Sequence, residues 1–242
     1  MLYQSAGERT PKNNLRLAAS TAFIAGATNV AGAMACFSFT ANVSGHAAAF
    51  AKHLVSSRWF ELAIIFLWLL LFFLGAFTAH FLIRSFEHKG PYKAHALPLV
   101  LEMCLLYLAG GLGLYFEASS PEWLTQLLTG LLLFAMGLQN STVSFISGGG
   151  IKTSHLTGLF TDLGAEISEW VHPRSVRTSG LKAKIQLRLH ILLFYLLGGI
   201  AGGGLFIFAG MSGFFVLGIG VALIICYDYF AMRGKLFPEK KT

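Results

Sequence analysis

Asparagines within apolar sequence are the first residues here whose type and spacing suggest a binding function. F-I-A-G-A-T-N (23–29) precedes T-A-N-V-S-G (40–45), and F-A-M-G-L-Q-N (134–140) precedes T-S-H-L-T-G (153–158). Both pairs read F-x-x-G-x-x-N and then T-x-[NH]-[VL]-[ST]-G. An amide in an apolar segment needs a hydrogen-bond partner and usually faces the protein interior. The asparagines therefore either tie two parts of the chain together or contact a solute or ion.

The second motif of each pair predicts the start of a helix. Ser, Thr and Asn accept hydrogen bonds from the free N–H groups at a helix start, and Gly permits close backbone approach. These residues either cap the helix or direct its N-terminus toward a polar or anionic solute, as in transporters with broken helices. The candidate solute-binding residues are Asn29, Thr40, Asn42, Ser44, Gln139, Asn140, Thr153, His155 and Thr157.

Ionisable residues near the ends of apolar segments are candidates for proton coupling. They are His80, Glu102 and Asp228. Such groups often mark proton or ion pathways when they lie within a membrane. Glu102 is the strongest candidate because it follows Pro98 by one turn inside an apolar segment. For His80 and Asp228 the alternative is a position close enough to the interface to reach water.

Signatures of soluble enzymes and of cofactor binding are absent from the sequence. There is no H-E-x-x-H, no paired C-x-x-C and no G-x-G-x-x-G. An intramembrane serine protease is excluded because Phe145 stands where a G-x-S-G motif around Ser147 needs Gly. Three widely spaced cysteines in apolar stretches, Cys36, Cys104 and Cys226, indicate small core residues. We therefore expect neither an enzyme nor a bound cofactor or metal.

Composition indicates a protein whose solvent is lipid. The 242 residues are 55% hydrophobic and only 12% charged, and soluble domains usually carry about twice that charged fraction. The net charge of +7 comes from basic residues in short loops between apolar runs. This arrangement is typical of a membrane protein, so the expected partner is a lipid bilayer and not a nucleic acid.

Six segments are long and apolar enough to span a bilayer, which takes about 20 residues. They are 16–37, 59–83, 96–116, 123–146, 187–209 and 212–232. Of the 18 Lys and Arg residues, all but Lys52 and Arg58 fall on one side of this arrangement. The positive-inside rule then predicts an all-α, multi-pass protein with both termini in the cytoplasm.

The two motif pairs indicate an internal repeat within a single membrane domain, 1–242. The first three-helix repeat covers 16–116 and the second covers 123–232. Three spans are an odd number, so the second repeat must be inverted relative to the first. Small residues four apart, Gly75 with Ala79 and Gly198 with Gly202, are predicted to let helices pack closely.

The motifs of the second half also resemble a known family. G-L-Q-N-S (137–141) and K-T-S-H-L-T-G-L-F-T-D-L-G (152–164) resemble the YoaK-like family of uncharacterised bacterial membrane proteins. In the first half the small-residue and Gly core of T-A-N-V-S-G-H is similar too, but His46 stands where Asn is more usual. The resemblance implies a bacterial inner-membrane location and a six-span fold, and it implies no activity.

Taken together, these features favour a small secondary transporter or channel-like carrier for a polar or anionic small solute across the bacterial inner membrane. The alternative is a non-transporting scaffold or accessory subunit, in which the asparagines only lock helices together. A homodimer is compatible with six short spans, although no motif indicates one.

Overall fold

The chain is described by a computed structural model over residues 1–4, 10–116, 121–174, 176 and 178–236. Within these ranges all regular structure is helical. The α-helices are α1 (Pro11–Cys36), α2 (Val43–Val55), α3 (Trp59–Phe86), α4 (Pro91–Tyr115), α5 (Glu122–Ile146), α6 (Leu156–Val171), α7 (Ser179–Ala209) and α8 (Gly213–Leu236). Four basic residues used above for orientation, Arg9, Arg177, Lys240 and Lys241, lie outside the described residues.

Five helical segments of the described chain have the length and composition needed to cross a membrane. They are Pro11–Cys36, Trp59–Lys89, Pro91–Tyr115, Glu122–Ile146 and Ser179–Arg233. The fifth contains both α7 and α8, which are separated by a 3₁₀ turn at Gly210–Ser212. The chain is therefore an all-helical membrane protein, as its composition predicts.

Helix capping explains why two helices begin earlier than the predicted spans. The Thr10 side chain accepts a hydrogen bond of 3.3 Å from the N–H of Asn13 and so starts α1 at Pro11, not at residue 16. Thr178 caps α7 in the same way through the N–H of Leu181, at 3.1 Å. These polar first turns lie beyond the apolar stretch, so hydropathy detects only the part of each helix that follows them.

Glycines bring two helix pairs into close contact, α1 with α7 and α3 with α5, which are the most extensive packing pairs in the bundle. A Cβ atom at Gly26 or Gly198 would collide with a backbone carbonyl of the facing helix, and the same holds for Gly75 and Gly137. The facing carbonyls belong to Tyr195, Phe23, Phe134 and Phe72, respectively. The packing role predicted for Gly75 and Gly198 is confirmed.

The helices α4 and α8 form a third packed pair. Tyr92 at the start of α4 donates a hydrogen bond of 3.0 Å to the carbonyl of Ile225, and Gly218 of α8 lies against the ring of Tyr107. Besides α8, α4 packs against α5 and α3, whereas α8 packs less extensively against α1 and α7. Consequently α8 is the less enclosed member of the pair.

The two shorter helices lie at the periphery and are held by different interactions. On α2, the buried His46 forms a hydrogen bond of 2.8 Å with the carbonyl of Phe39 and contacts the Trp68 ring edge-on. On α6, Asp162 and Glu166 form ion pairs of 2.9 and 2.8 Å with Arg188 of α7. Apolar and aromatic contacts therefore hold α2 to α3, and charges reinforce the contact of α6 with α7.

The three cysteines do not share one environment. Cys36 is buried at the end of α1, but Cys104 and Cys226 are exposed on the helix surfaces. The prediction that all three are core residues is therefore wrong for Cys104 and Cys226. The prediction was made because the neighbouring residues are apolar. Apolar residues do not distinguish a core from a helix surface that faces lipid, since both are apolar.

Candidate functional site

Asn29 on α1 holds the segment that leads into α2. After α1 the chain turns at Phe37, which has a left-handed φ of 54°. The Asn29 carbonyl oxygen accepts hydrogen bonds from the N–H of Ala41 at 2.9 Å and from the Thr40 hydroxyl at 3.4 Å. Its amide nitrogen donates to the Tyr195 hydroxyl of α7 at 2.8 Å. The start of α2 is thereby fixed next to the middle of the bundle and not beyond the end of α1.

Asn140 on α5 does the same for the segment that leads into α6. The chain reverses through Gly148 and Gly149, whose φ values of 62° and 83° favour glycine. The Asn140 carbonyl oxygen accepts a hydrogen bond of 2.9 Å from the Thr153 hydroxyl, and its amide nitrogen donates to the Ser154 hydroxyl at 2.6 Å. Each asparagine thus bonds to the chain that follows its own helix, and no hydrogen bond among the described residues joins Asn29 to Asn140.

A cavity of about 570 Å³ lies between the two helix starts. A volume of this size accommodates a small molecule. Its wall contains residues of α1, α3 and α7 and both helix-start motifs: Asn29, Phe39, Ala41, Asn42, Val43, Ser44, Ala47, Phe72, Ser154, His155, Leu156, Thr157, Gly158 and Tyr195. The motifs that are far apart in the sequence therefore line one site.

The cavity presents helix N-termini without a basic side chain. None of the residues described along its wall is a Lys, Arg, Asp or Glu. At the start of α2 the Asn42 side chain accepts a hydrogen bond of 3.0 Å from the N–H of Gly45. At the start of α6 no side chain of the described residues caps the helix, so its first N–H groups, at Leu156, Thr157 and Gly158, can bind a ligand. Helix N-termini carry a partial positive charge and favour anions.

His155 adds a titratable group to the wall. Burial, and secondarily the charge of nearby Lys152, lower the pKa of its imidazole below the ordinary value. The ring is therefore neutral at pH 7 and can act as either a donor or an acceptor of a hydrogen bond. At neutral pH the site is uncharged, and its hydrogen-bonding groups are set in a wall that is otherwise mainly apolar.

Not all of the predicted binding residues reach the cavity. Five of them line it: Asn29, Asn42, Ser44, His155 and Thr157. Thr40, Asn140 and Thr153 lie behind the wall, where they form the hydrogen bonds that hold the motifs. Gln139 points elsewhere, because its amide nitrogen donates to the carbonyl of Thr21 at 3.3 Å. Adjacent residues of a helix are about 100° apart, so Gln139 and Asn140 cannot face the same motif.

The three predicted proton-coupling residues occupy different environments. Glu102 is 1% exposed, and its carboxylate oxygens have no hydrogen-bond partner in the described part of the chain. His80 is exposed and packs edge-on against Phe145, with ring centroids 5.0 Å apart. Asp228 does not reach water as the alternative for it supposed. It is buried and accepts hydrogen bonds from the Met1 α-amino group and the N–H of Leu2.

Sequence reasoning missed two polar residues of the site. The Tyr195 hydroxyl binds Asn29, and Ser154 binds Asn140 while also lining the cavity. A tyrosine in an apolar span was a usable signal, because a buried hydroxyl needs a partner. Ser154 lies inside the quoted motif but at a variable position, where the first copy has Ala41 and offers a backbone N–H in its place.

The comparisons with known proteins agree with the sequence motifs. No curated protein and no solved structure matches the chain. The sequence profile of a family described as "Protein of unknown function (DUF1275)" matches residues 17–227 and so covers both motif pairs. This is the family of the YoaK-like proteins, so the predicted resemblance is confirmed. The chain belongs to the DUF1275 family of proteins of unknown function.

Proposed function

We propose that the protein is a carrier that moves a small polar or anionic solute across the bacterial inner membrane. The observation that supports this most strongly is the cavity lined by both helix-start motifs. Transporters built from broken helices bind their solutes at such paired helix ends near the membrane midplane. In this proposal the protein is not an enzyme.

Repeated contacts support an arrangement of two inverted three-helix repeats. In each F-x-x-G-x-x-N motif the phenylalanine carbonyl lies against a glycine of the facing helix. The glycine of the motif lies against a second carbonyl of that helix, which belongs to the residue three positions before the facing glycine. In one pair the residues are Phe23, Gly26, Tyr195 and Gly198, and in the other they are Phe134, Gly137, Phe72 and Gly75. Exchanging α1 with α5 and α3 with α7 therefore reproduces the same packing.

This exchange implies six spans, because it pairs α4 with α8 and requires α7 and α8 to cross the membrane separately. The 3₁₀ turn at Gly210–Ser212 is the natural place for that division. With six spans, the basic loops and both termini lie on the cytoplasmic side under the positive-inside rule. The second repeat is then inverted relative to the first, and α2 and α6 enter from opposite sides of the membrane.

In this proposal the solute is an anion that binds without a permanently charged side chain. The uncapped N–H groups at the start of α6 offer donors, and Ser44, Ser154 and Thr157, which carry hydroxyls, line the same cavity. Binding through backbone dipoles is weaker than binding through a guanidinium, which suits a carrier that must also release its solute.

Glu102 supports coupling of this transport to protons. A carboxyl group that is 1% exposed and lacks a hydrogen-bond partner among the described residues is expensive to keep charged in a bilayer. In the proposal Glu102 carries the proton. The pairing of Asp228 with the first residues of the chain favours a structural role for that carboxylate, and His80 stays a secondary candidate at the helix surface.

Two glycines of α6 allow a matched test of the cavity. A Cβ atom added at Gly158 or at Gly164 meets no described atom within 4 Å, but only Gly158 lines the cavity. We expect Gly158→Leu to fill the cavity and Gly164→Leu to leave it open. The melting temperature of the purified protein should be recorded with a panel of inorganic and organic anions, because a ligand that binds only the folded state raises it.

The proposal requires an anion that raises the melting temperature of the wild type and of Gly164→Leu but not of Gly158→Leu. Uptake of that anion into proteoliposomes should follow the same order. Equal shifts of the melting temperature in both variants would show that the anion does not bind in the cavity.

The rival function, a scaffold, has one observation in its favour, namely that both asparagine side chains are already bonded to protein. If no anion shifts the melting temperature and proteoliposomes carry none, the scaffold is the better interpretation.

A further inference from the structure

An apolar groove with a volume of about 520 Å³ lies between α1, α7 and α8, away from the cavity described above. Its wall includes Ala19, Phe23, Ile24, Phe194, Leu223 and Ile224. Ser20 also lines it, but the Ser20 hydroxyl donates to the carbonyl of Arg16 in its own helix at 2.9 Å. The groove therefore offers apolar surface along most of its length.

The weak packing of α8 creates this groove. Glycines bring α1 and α7 together, whereas α8 packs mainly on α4 and touches α1 and α7 less extensively. Gly220 lines the groove, and a Cβ atom there would meet only the Cδ1 atom of Ile24, at 2.8 Å. The missing side chain at Gly220 thus widens the space between α8 and α1.

One end of the groove carries a positive charge. Arg16 lies there, exposed, and its Nη1 donates a hydrogen bond of 3.1 Å to the Tyr227 hydroxyl. Lys12 lies one turn earlier on the same side of α1. Among the residues that the structure describes, no carboxylate forms an ion pair with Arg16. A guanidinium beside a phenol hydroxyl is well suited to bind a phosphate oxygen.

We propose that this groove binds an anionic phospholipid, with an acyl chain along the apolar wall and the headgroup phosphate at Arg16 and Tyr227. From Arg16 to Ile24 the helix rises about 12 Å, which is close to the depth of one hydrocarbon leaflet, about 15 Å. An apolar groove at that depth excludes water and is filled by hydrocarbon. The lipid site does not depend on the proposed transport and would exist equally in a scaffold.

The experiment compares two lipids that share acyl chains, phosphatidylglycerol and phosphatidylcholine, each added to the full-length protein in detergent. Bound lipid is counted by native mass spectrometry, and the melting temperature is recorded in parallel.

Arg16→Gln removes the charge at an exposed position and is expected to fold normally. Gly220→Leu fills the groove, and Gly204→Leu is its matched control, because a Cβ atom at Gly204 meets no described atom within 4 Å. Arg174→Gln, in the exposed loop before α7, controls for general charge.

The wild type is expected to prefer phosphatidylglycerol, and Arg16→Gln to bind it about fivefold more weakly, the effect of one basic residue at a lipid surface. Gly220→Leu should lose the bound lipid, while Gly204→Leu and Arg174→Gln should retain it. Equal binding of the two lipids by the wild type would overturn the proposal. So would an effect of Arg174→Gln as large as that of Arg16→Gln, or a folded Gly220→Leu that binds lipid as the wild type does.

Discussion

At the scale of single residues, Asn29 and Asn140 perform the same task at two places in the bundle. Each uses its carbonyl oxygen to hold the threonine that opens the following motif, and each uses its amide nitrogen to bind a hydroxyl. An asparagine is well suited to this task because its side chain both donates and accepts. The bonds replace those that water would make to these segments, whose threonines Thr40 and Thr153 are buried in the protein.

Replacing Asn29 by Ala should lower the stability of the protein markedly. The Tyr195 hydroxyl and the N–H of Ala41 would lose their partner, and each buried group left unpaired costs about 1–3 kcal/mol. Ser20→Ala on the same helix is the control, since among the described residues Ser20 bonds only to carbonyls of its own helix. Melting temperatures in detergent would show the difference, and equal values for the two variants would contradict the anchoring role of Asn29.

His46 gives α2 a dependence on pH. Burial lowers the pKa of its imidazole, although its bond to the carbonyl of Phe39 acts in the opposite direction. The folded state then binds a proton less readily than the unfolded state, whose histidine titrates near 6.5. Above that pH the histidine is neutral in both states and does not change the free energy of unfolding. As the pH drops below it toward the folded pKa, the unfolded state binds the proton first and the free energy of unfolding falls. In a melting-temperature series from pH 8 to 5, His46→Gln should lose less stability on acidification than the wild type, and equal losses would contradict this role of His46.

At the scale of helices, the close approach of two helix backbones at a glycine is the property that the sequence predicts best. Gly75 and Gly198 were identified from their spacing to a second small residue, and both face a backbone carbonyl. Which helix each would face could not be predicted, because a spacing within one helix carries no information about its neighbour. The early starts of α1 and α7 were readable from Thr10 and Thr178 as caps but not from hydropathy.

Gly137→Ala should prevent α3 and α5 from packing as they do. Even one added methyl group would collide with the backbone carbonyl of Phe72, and backbone cannot move aside as a flexible side chain can. Gly111→Ala is the control, because a Cβ atom there meets nothing within 4 Å. It should leave the protein unchanged or stabilise it by about 0.5–1 kcal/mol. Size-exclusion profiles and melting temperatures would test this, and a well-folded Gly137→Ala would contradict the close contact.

At the scale of the whole molecule, the sequence assigned residues of both helix-start motifs to solute binding, and residues of both line one cavity. The individual contacts were less predictable. Tyr195 joins the site through the packing of α7 on α1, and Asp228 is buried by the first residues of the chain. Both contacts connect segments well over a hundred residues apart, and neither hydropathy nor helical periodicity reports on such distances.

Six spans and five spans make opposite predictions for the C-terminus. With six spans it lies on the same side as the N-terminus, and with five it lies on the other side. Fusion of green fluorescent protein to the C-terminus should therefore give fluorescent cells, and fusion of alkaline phosphatase should give an inactive enzyme. With the N-terminus in the cytoplasm, as the positive-inside rule predicts, the reverse result would contradict both the six spans and the inverted repeat.

If the protein transports a solute as proposed, the unlike attachment of α2 and α6 has a consequence for the kinetics of that transport. Ion pairs at Arg188, which is 26% exposed, are weakened by dissolved salt, whereas the aromatic contact of His46 with Trp68 is not ionic. If each short helix moves to release solute on its own side of the membrane, ionic strength changes the rate of only one half of the transport cycle. The carrier would then act as a partial rectifier, whose ratio of inward to outward flux rates varies with the salt concentration on the α6 side.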